Sequence, residues 1–348
     1  MINIAIIGTG YWGPNYANVI SENPELNLCY CCDISEKALS TIKQKYPGTK
    51  TTTNLKEVLS DKKIQAVIIA VPASKHYEVA SLALKAGKHV LIEKPLATDP
   101  KQAKELVKLA QKKELILLVD HIYLYNPAVL KIRELIVNKE LGSIYYSHGD
   151  FTALGPVRVD VSAMTDLAVH FLYTICYLLN KTPTSISAFG KAFLTPDNID
   201  VAFINVEFKK NTIFNLRVSW LDPIKTRSLI LIGTKKMVAF DDTKPDKVTI
   251  YDRGINKDII SPKDPSSYTF TFRYGDVILP QISNAQPLKI VVQSFIEAVT
   301  KKVKEQDSSM AVNMVTLLEA AEYSLKHHGQ KIIFTKNHKT GILSFKKS

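Results

Sequence analysis

The sequence has few cysteines and offers little for a metal ion to bind. It contains 4 cysteines in 348 residues. Three of them lie together at Cys29, Cys31 and Cys32, Cys176 stands apart, and no second Cys/His pair has zinc-binding spacing. We therefore expect no metal site and reduced thiols that behave as small apolar residues of a buried strand.

Long apolar runs are also missing. Lys, Arg, Asp or Asn interrupts every run before it reaches the roughly 18 residues that a membrane span needs. A strand pattern begins at Ile2, and no basic segment with a long apolar stretch and a cleavage site comes before it. The sequence predicts a cytoplasmic protein with neither a membrane span nor an export signal.

Charge is the strongest compositional bias. There are 45 Lys and Arg residues against 33 Asp and Glu, a formal net charge of +12, which favours anionic ligands. The lysines are dispersed along predicted helix faces and no nucleic-acid-binding motif occurs, so nucleic acid is not the expected partner. A phosphorylated small molecule explains the charge equally well.

The first third of the chain alternates short apolar runs with helical patterns. Such alternation predicts a parallel, doubly wound α/β sheet of the Rossmann type. The strands are predicted at 2–7, 26–32, 66–71, 89–92 and 115–119, and covering helices at stretches such as 35–46 and 100–113.

The rest of the chain is rich in consecutive strands with short turns, which predicts a C-terminal α+β domain with a largely antiparallel, open sheet. Strands are predicted at 143–151, 185–193, 201–208, 212–219, 228–232, 237–240 and 247–251, and helices at 163–179, 288–302 and 309–326. At 348 residues the chain exceeds the usual size of one domain, and we predict domains at 1–121 and 122–348.

A glycine-rich turn directly follows the first predicted strand and opens a helix, which is the setting of a dinucleotide fingerprint. Gly8 permits the tight turn, Gly10 lets a pyrophosphate approach the backbone, and Gly13 allows close packing of helix on strand. Asp33 ends the second strand, 20 residues after Gly13. Its carboxylate would accept hydrogen bonds from ribose hydroxyls and repel a 2′-phosphate, so the pattern predicts NAD rather than NADP. A strand-end turn with a solvated aspartate is the other interpretation.

Two further positions suggest dehydrogenase chemistry. Lys94 follows a strand at its carboxyl end, where open α/β sheets bind ligands, although it could equally be a solvated surface lysine. Asp166 and His170 are four residues apart on one face of a predicted helix. A histidine can take the proton of an alcohol as hydride leaves the carbon. The alternative is a core histidine bonded to a helix aspartate.

These motifs together resemble the glucose-fructose oxidoreductase, inositol dehydrogenase and rhizopine-catabolism (Gfo/Idh/MocA) oxidoreductases, and the resemblance covers nearly the whole chain. It rests on residues 8–13, Pro72 with His76, residues 86–95 and residues 166–170. It implies an NAD-binding first domain, a substrate-binding and oligomerisation domain, and a homodimer or homotetramer formed through the open face of the second sheet.

The resemblance also implies residue roles. Lys94 and His170 would flank the reacting carbinol, with Asp166 assisting, while the nicotinamide would lie over the second domain's open sheet. We take His170 as the acid/base, with Lys94 as the alternative proton acceptor. Phe171 stands where many relatives carry an acid, so no proton relay is implied there. The implied cofactor-binding residues are Gly8, Gly10, Tyr11, Trp12, Gly13, Asp33, Pro72, His76, Glu93 and Lys94.

Within that family the sequence is most similar to nucleotide-sugar 3-dehydrogenases, which oxidise C3 of a UDP-linked N-acetylhexosamine or its uronic acid. The similar stretches are 155–160, 219–227, 233–237 and 274–276. Arg158, Lys225 and Arg227 could bind the diphosphate or a carboxylate, or be merely exposed cations. Trp220 is expected to be a core residue rather than a sugar platform.

Two alternatives stay open from the sequence. One is an enzyme of the same fold that acts on a free polyol or aldose and needs no phosphate contacts. The other is a non-catalytic NAD-binding regulator, because a fold alone does not establish turnover. The joint presence of Lys94, Asp166 and His170 argues against the regulator.

Overall fold

The computed structural model of the chain describes residues 1–158, 160–196, 198–261, 264–301 and 308–347, so Val159 of the 155–160 motif lies outside the described residues. The chain forms two compact units. The first comprises 1–125, 285–319 and 336–344, and the second 126–284, 320–335 and 345–348. The first unit thus takes in two segments from the end of the chain, which a division at residue 121 does not provide for; the limits 1–121 and 122–348 stay a prediction.

The first unit contains a six-stranded sheet in the order β3-β2-β1-β4-β5-β6, and each neighbouring pair is parallel. The parallel, doubly wound sheet is therefore confirmed. The strand order reverses between the first and fourth strands, which is the point where such sheets bind dinucleotides. The strands are β1 (Ile2–Ile7), β2 (Leu26–Cys32), β3 (Lys50–Thr52), β4 (Ala66–Ile69), β5 (His89–Glu93) and β6 (Leu117–Asp120).

Several helices begin where a short polar side chain accepts a backbone N–H bond. Asn54 accepts from Lys56 N, Asp99 from Lys101 N and Asn126 from Ala128 N, and the last two precede a proline at the first helical position. The helices are α1 (Gly13–Ser21), α2 (Glu36–Lys45), α3 (Leu55–Ser60), α4 (His76–Lys85), α5 (Pro100–Lys112), α6 (Pro127–Val137), α7 (Val169–Leu179), α8 (Pro287–Lys301) and α9 (Ser308–Lys326).

Both faces of the first sheet are buried. Ala5 and Ile7 of β1 belong to one apolar cluster, while Ile4 and Ile6 belong to the other. Phe295 of α8 packs into the second cluster. Because helices cover both faces, strands such as β1 and β4 are nearly continuous apolar runs rather than alternating ones, and this made them easy to find in the sequence. The short β3 is polar and was not predicted.

The second unit contains, in the described part of the chain, a nine-stranded sheet in the order β14-β13-β12-β11-β7-β10-β9-β8-β15. Only the β7–β10 pair is parallel among its described pairs, so the largely antiparallel sheet is confirmed. The strands of this sheet are β7 (Ile144–Leu154), β8 (Pro183–Lys191), β9 (Val201–Phe208), β10 (Thr212–Ser219), β11 (Leu221–Gly233), β12 (Met237–Asp241), β13 (Val248–Ser261), β14 (Asp264–Ile278) and β15 (Ile332–Ile333). A separate pair of short strands is formed by β16 (Thr335–Lys336) and β17 (Leu343–Ser344), of which β17 belongs to the first unit.

The two faces of this sheet differ. On one face the ring of Phe171 from α7 lies against Gly149 of β7, where an added Cβ would come within 3.0 Å of it. The opposite face carries exposed apolar side chains, among them Tyr146, Phe203 and Ile213. The second sheet is therefore helix-covered on one side and open on the other.

Trp220 belongs to the core, as predicted. Its side chain is 1% exposed, and its backbone N–H donates to Asp200 O at 3.0 Å. Trp220→Ala should lower the free energy of unfolding by about 3–5 kcal/mol, because a large buried side chain leaves a cavity that collapses only in part. Phe193, which is 68% exposed, is the control: Phe193→Ala should cost less than about 1 kcal/mol. Equal losses in urea unfolding would contradict this assignment.

Candidate functional site

The glycine turn after β1 has the geometry that a dinucleotide needs. A Cβ on Gly8, whose φ is +96°, would lie 2.5 Å from Ala70 O, and one on Gly13 would lie 2.3 Å from Gly8 O. Both positions therefore require glycine. A Cβ on Gly10 would meet nothing within 4 Å, so this backbone stays open to a ligand. The turn fits a bound pyrophosphate.

Asp33 is fixed beside that turn. Its Oδ2 accepts hydrogen bonds from Thr9 N at 2.5 Å and from Thr9 Oγ1 at 3.0 Å, and its Oδ1 accepts from Ser35 N at 2.8 Å. In the described part of the chain no cation pairs with it. The carboxylate keeps lone pairs for ribose hydroxyls and a charge that repels phosphate, which fits NAD.

Tyr11 and Ile34 are exposed apolar side chains next to these residues. Tyr11 is 84% exposed and meets Trp12 edge-on, with ring centroids 5.5 Å apart. Ile34, which directly follows Asp33, is 95% exposed. Ile34 was not among the residues predicted for the site. The one signal for it in the sequence is that an apolar residue directly follows the carboxylate at the strand end.

His76 is buried and connects two loops. Its Nδ1 lies 2.6 Å from Pro95 O, and its Nε2 lies 3.0 Å from Val71 O. Pro72 precedes the short 3-10 turn Ala73–Lys75 that leads into α4. In the structure His76 therefore holds the segment after β5, where Lys94 lies, against the segment after β4; its contact with the cofactor stays a prediction.

A buried acidic pair was missed from the sequence. The Tyr16 hydroxyl of α1 lies 2.9 Å from Glu93 Oε1 and 2.5 Å from Asp120 Oδ2. Burial and the charge of Asp120 raise the pKa of Glu93, and burial raises that of Asp120. The available signal was Asp120, a polar residue where an apolar strand ends.

Lys94 lies next to these carboxyl groups and is half-buried. Its positive charge opposes the effect of burial and lowers the pKa values of Glu93 and Asp120. For His121, burial together with the same positive charge lowers the pKa to about 3, so that ring is neutral. The acidic and neutral groups whose pKa values Lys94 affects, Glu93, Asp120 and His121, all belong to the same unit as Lys94.

In the second unit the predicted helix at 163–179 is present, but its first part is not α-helical. Residues Met164–Ala168 form a π-helical turn that contains Asp166, and α7, which contains His170, follows directly. The interpretation of the pair as four apart in a regular α-helix is therefore corrected. Such π turns are rare and often occur at functional sites.

Arg158 is bound to two aspartates. It donates to Asp160 through Nε at 3.0 Å and Nη2 at 2.7 Å, and to Asp166 through Nη1 at 3.3 Å. Burial acts to lower the pKa of Arg158, but the two carboxylates outweigh it and raise the pKa. The structure thus brings Arg158 and Asp166 together, and the arginine orients the carboxylate rather than presenting an uncompensated charge.

His170 is held by aromatic neighbours. Its ring stacks on Phe151 with centroids 5.1 Å apart and planes 10° apart, and its Nδ1 lies 3.2 Å from Tyr173 Oη. Arg227 lies over the same Phe151 ring at 5.1 Å, with Nη1 3.9 Å from Asp242 Oδ2. Phe151 therefore contacts two predicted site residues, and no sequence pattern had singled it out.

Lys225 differs from the two arginines. It is exposed on β11, in the part between Leu221 and Thr226 where the pairing with β7 shifts register. Within the described ranges it takes part in no ion pair. Of the three cations predicted to bind a diphosphate or carboxylate, Lys225 is the one that forms no ion pair among the described residues.

Other chemistries find little support in the described residues. Burial raises the pKa of Cys31 and of Cys176 to about 12, so these groups are thiols rather than reactive thiolates. The described residues contain no group of three metal-binding side chains, and none of their helices combines the length and apolarity that crossing a membrane takes.

Both parts of the chain match descriptions of one protein family. Residues 2–121 match the "Oxidoreductase family, NAD-binding Rossmann fold", and residues 129–239 match the "GFO/IDH/MocA C-terminal domain".

Among relatives, the chain is 32% identical over 157 residues to a UDP-N-acetylglucosamine 3-dehydrogenase of Acidithiobacillus ferrooxidans, covering 45% of this chain and 49% of that one. It is 37% identical over 103 residues to a D-xylose 1-dehydrogenase (NADP(+)) of Hypocrea jecorina, covering 30% and 26%. The matched stretch thus spans about half the first relative's length and about a quarter of the second's.

Solved structures show the same fold over nearly the whole chain. GenD2 from gentamicin A biosynthesis, in complex with NAD, has a TM-score of 0.80 at 23% identity and covers 96% of each chain. The UDP-N-acetylglucosamine 3-dehydrogenase GnnA from Acidithiobacillus ferrooxidans has a TM-score of 0.78 at 21% identity, covering 94% of this chain and 99% of that one.

Asp33→Ala should weaken NAD binding and reduce the ratio of NAD affinity to NADP affinity, because both the ribose acceptor and the repulsion of a 2′-phosphate are lost. Asp33→Asn, which keeps one side-chain acceptor, should narrow the preference with a smaller loss of NAD affinity. Glu36→Ala removes a nearby exposed carboxylate and is the matched control. Titration calorimetry with NAD and with NADP measures the ratio of the two affinities. A ratio that is unchanged in both Asp33 variants would refute the assignment.

Proposed function

Because the chain belongs to the Gfo/Idh/MocA family of oxidoreductases, we propose that it is an NAD-dependent dehydrogenase acting on a secondary alcohol of a nucleotide sugar, at its C3 hydroxyl. The observation that carries the proposal is the open glycine turn with Asp33 fixed at its side. When bound, NAD accepts or returns the hydride.

The residues of this chain handle the proton and the alcohol oxygen. Lys94 donates a hydrogen bond to the substrate hydroxyl and stabilises negative charge that develops on it. His170 takes the hydroxyl proton, and its ring is held for this by stacking on Phe151. Asp166, oriented by Arg158, assists electrostatically. The remaining predicted cofactor contacts, Tyr11 to Gly13, Pro72, His76 and Glu93, are part of the same proposal.

A nucleotide sugar is the proposed substrate class. Support comes from the net charge of +12 and from Lys225, whose charge is uncompensated among the described residues. The partial similarity to a UDP-N-acetylglucosamine 3-dehydrogenase points the same way. Arg158 and Arg227 are already paired with aspartates, so their contribution to phosphate binding is smaller than the sequence suggested.

A free aldose or polyol is the second candidate substrate. It is favoured by the ion pairs that occupy Arg158 and Arg227 and by the partial similarity to a D-xylose 1-dehydrogenase. Such a substrate would need no uncompensated cation, and Lys225 would then be a solvated surface residue.

Association into a homodimer or homotetramer through the open face of the second sheet is also proposed. Tyr146, Phe203 and Ile213 on that face are 47%, 46% and 47% exposed, an apolar surface that a second copy would cover. Cytoplasmic location stays a prediction.

A nucleotide sugar should raise the melting temperature in the presence of NAD, whereas inositol, glucose and xylose at equal concentration should not, because only a bound ligand stabilises the native state. A scan over UDP-, GDP- and dTDP-sugars makes the measurement. Lys225→Met should reduce the shift given by the nucleotide sugar, with Lys191→Met as a control at another exposed lysine of the same sheet. Stronger protection by a free sugar would transfer the assignment to the second candidate.

His170→Asn should slow the chemical step by about 10²–10⁴-fold and leave NAD affinity nearly intact, because it removes a general base and little binding surface. Lys94→Ala should be at least as damaging, and Asp166→Asn milder. Single-turnover NADH formation is measured, with cofactor binding determined separately for each variant. Turnover near that of the wild type in both His170→Asn and Lys94→Ala would show that these residues are structural.

A further inference from the structure

Two carboxyl groups share one tyrosine hydroxyl where β5 and β6 end. Tyr16, Glu93 and Asp120 are 0%, 8% and 3% exposed, so water does not solvate the group. Tyr16 comes from α1, and its hydroxyl lies within hydrogen-bond distance of both acids, at 2.9 Å from Glu93 and 2.5 Å from Asp120. The three residues are called the acid cluster below.

The number of protons in the acid cluster follows from this geometry. A phenol hydroxyl carries one proton and donates it to one acceptor, so its contact with the second carboxyl group requires a proton on that group. Two ionised carboxylates this close in a buried site would also repel strongly. The cluster therefore holds two protons on three groups and carries one negative charge.

Lys94 directly follows Glu93 in the chain. Its positive charge acts on both acids and opposes the rise in pKa that burial produces at each. His121, after β6, has its pKa lowered by burial and by Lys94 and is neutral. Asp120 Oδ1 is buried and has no hydrogen-bond partner in the described part of the chain. A buried charge is tolerated where an opposite charge offsets it.

We propose that Tyr16, Glu93 and Asp120 are positioning residues that hold a single negative charge beside Lys94 and so keep its ammonium group in place for the substrate hydroxyl. The part concerning the hydroxyl rests on the function proposed for Lys94. Tyr16 and Asp120 touch neither substrate nor cofactor in this scheme, and Glu93 acts on Lys94 in addition to its predicted cofactor contact. It acts through the lysine by fixing its charge and its direction.

The sign of the pH dependence follows from the raised carboxyl pKa values. Their contribution to stability is complete below the ordinary carboxyl range and is lost as the pH rises through the raised values. Lys94 limits that loss, because its ammonium offsets the charge that appears. Removing Lys94 should therefore cost little at acid pH and more at alkaline pH.

The coupling can be measured without a substrate. Wild type, Lys94→Met, Asp120→Asn and the double variant are unfolded in urea at about pH 5 and about pH 8, which brackets the titration of the pair. We expect Lys94→Met to lower the urea midpoint more in the wild-type background than in the Asp120→Asn background at the higher pH, and equally in both at the lower one. Effects that add at both pH values would overturn the interaction.

A second measurement tests the positioning role. NADH formation is followed with NAD and UDP-N-acetylglucosamine, the alcohol tested here, in wild type, Asp120→Asn and Tyr16→Phe. We expect kcat at least about tenfold lower in Asp120→Asn, smaller losses in Tyr16→Phe, and a KM for NAD within about twofold of wild type. The control is Tyr77→Phe, which removes an exposed tyrosine bond to Glu105 and should change neither the pH dependence of unfolding nor kcat.

The outcomes separate this proposal from the function on which it rests. Coupled stabilities with an unchanged kcat in Asp120→Asn would overturn the positioning role. If the wild type turns over no nucleotide sugar and no free sugar, the proposed function fails, while the urea cycle still decides whether the acid cluster and Lys94 interact.

Discussion

The common direction of β1 to β6 is the constraint on which the rest of the first unit depends. Parallel strands bring all their carboxyl ends to one edge of the sheet, and there the chain leaves Gly8, Asp33, Lys94 and Asp120. The sheet can take this form because helices bury both of its faces. A polar site therefore forms at the carboxyl ends of strands whose central residues are largely apolar.

The carboxyl edge also explains why the sequence was informative. The predicted limits of β1, β2 and β5 agree with the observed ones to within one residue. The candidate functional residues lie at or directly after the end of each of these strands. Asp33 was predictable because its spacing from Gly13 is set by one helix and one strand. The link from Tyr16 to Asp120 was not, because 104 residues separate them and only the packing of α1 on the folded sheet brings them together.

The second unit was less readable for a related reason. Its strands face a core on one side and open space on the other, so apolar and polar residues alternate along them and the ends of each strand are weakly marked. The prediction at 247–251 found only the start of β13, and β14 was not predicted at all. Local side-chain pairing was equally hidden. From the sequence, Arg158 was a candidate for binding an anion, but in the structure it forms ion pairs with Asp160 and Asp166. The π-helical turn that contains Asp166 has no periodic sequence pattern by which it could have been predicted.

His76 links the segments after β4 and β5 through carbonyl oxygens of Val71 and Pro95. Two loops joined in this way do not lose conformational freedom independently. Once one of them is ordered, the entropy lost in ordering the other is smaller. Binding energy gained along the first loop can therefore lower the cost of fixing the second, which makes a single buried imidazole a thermodynamic connection between contacts that lie on different strands.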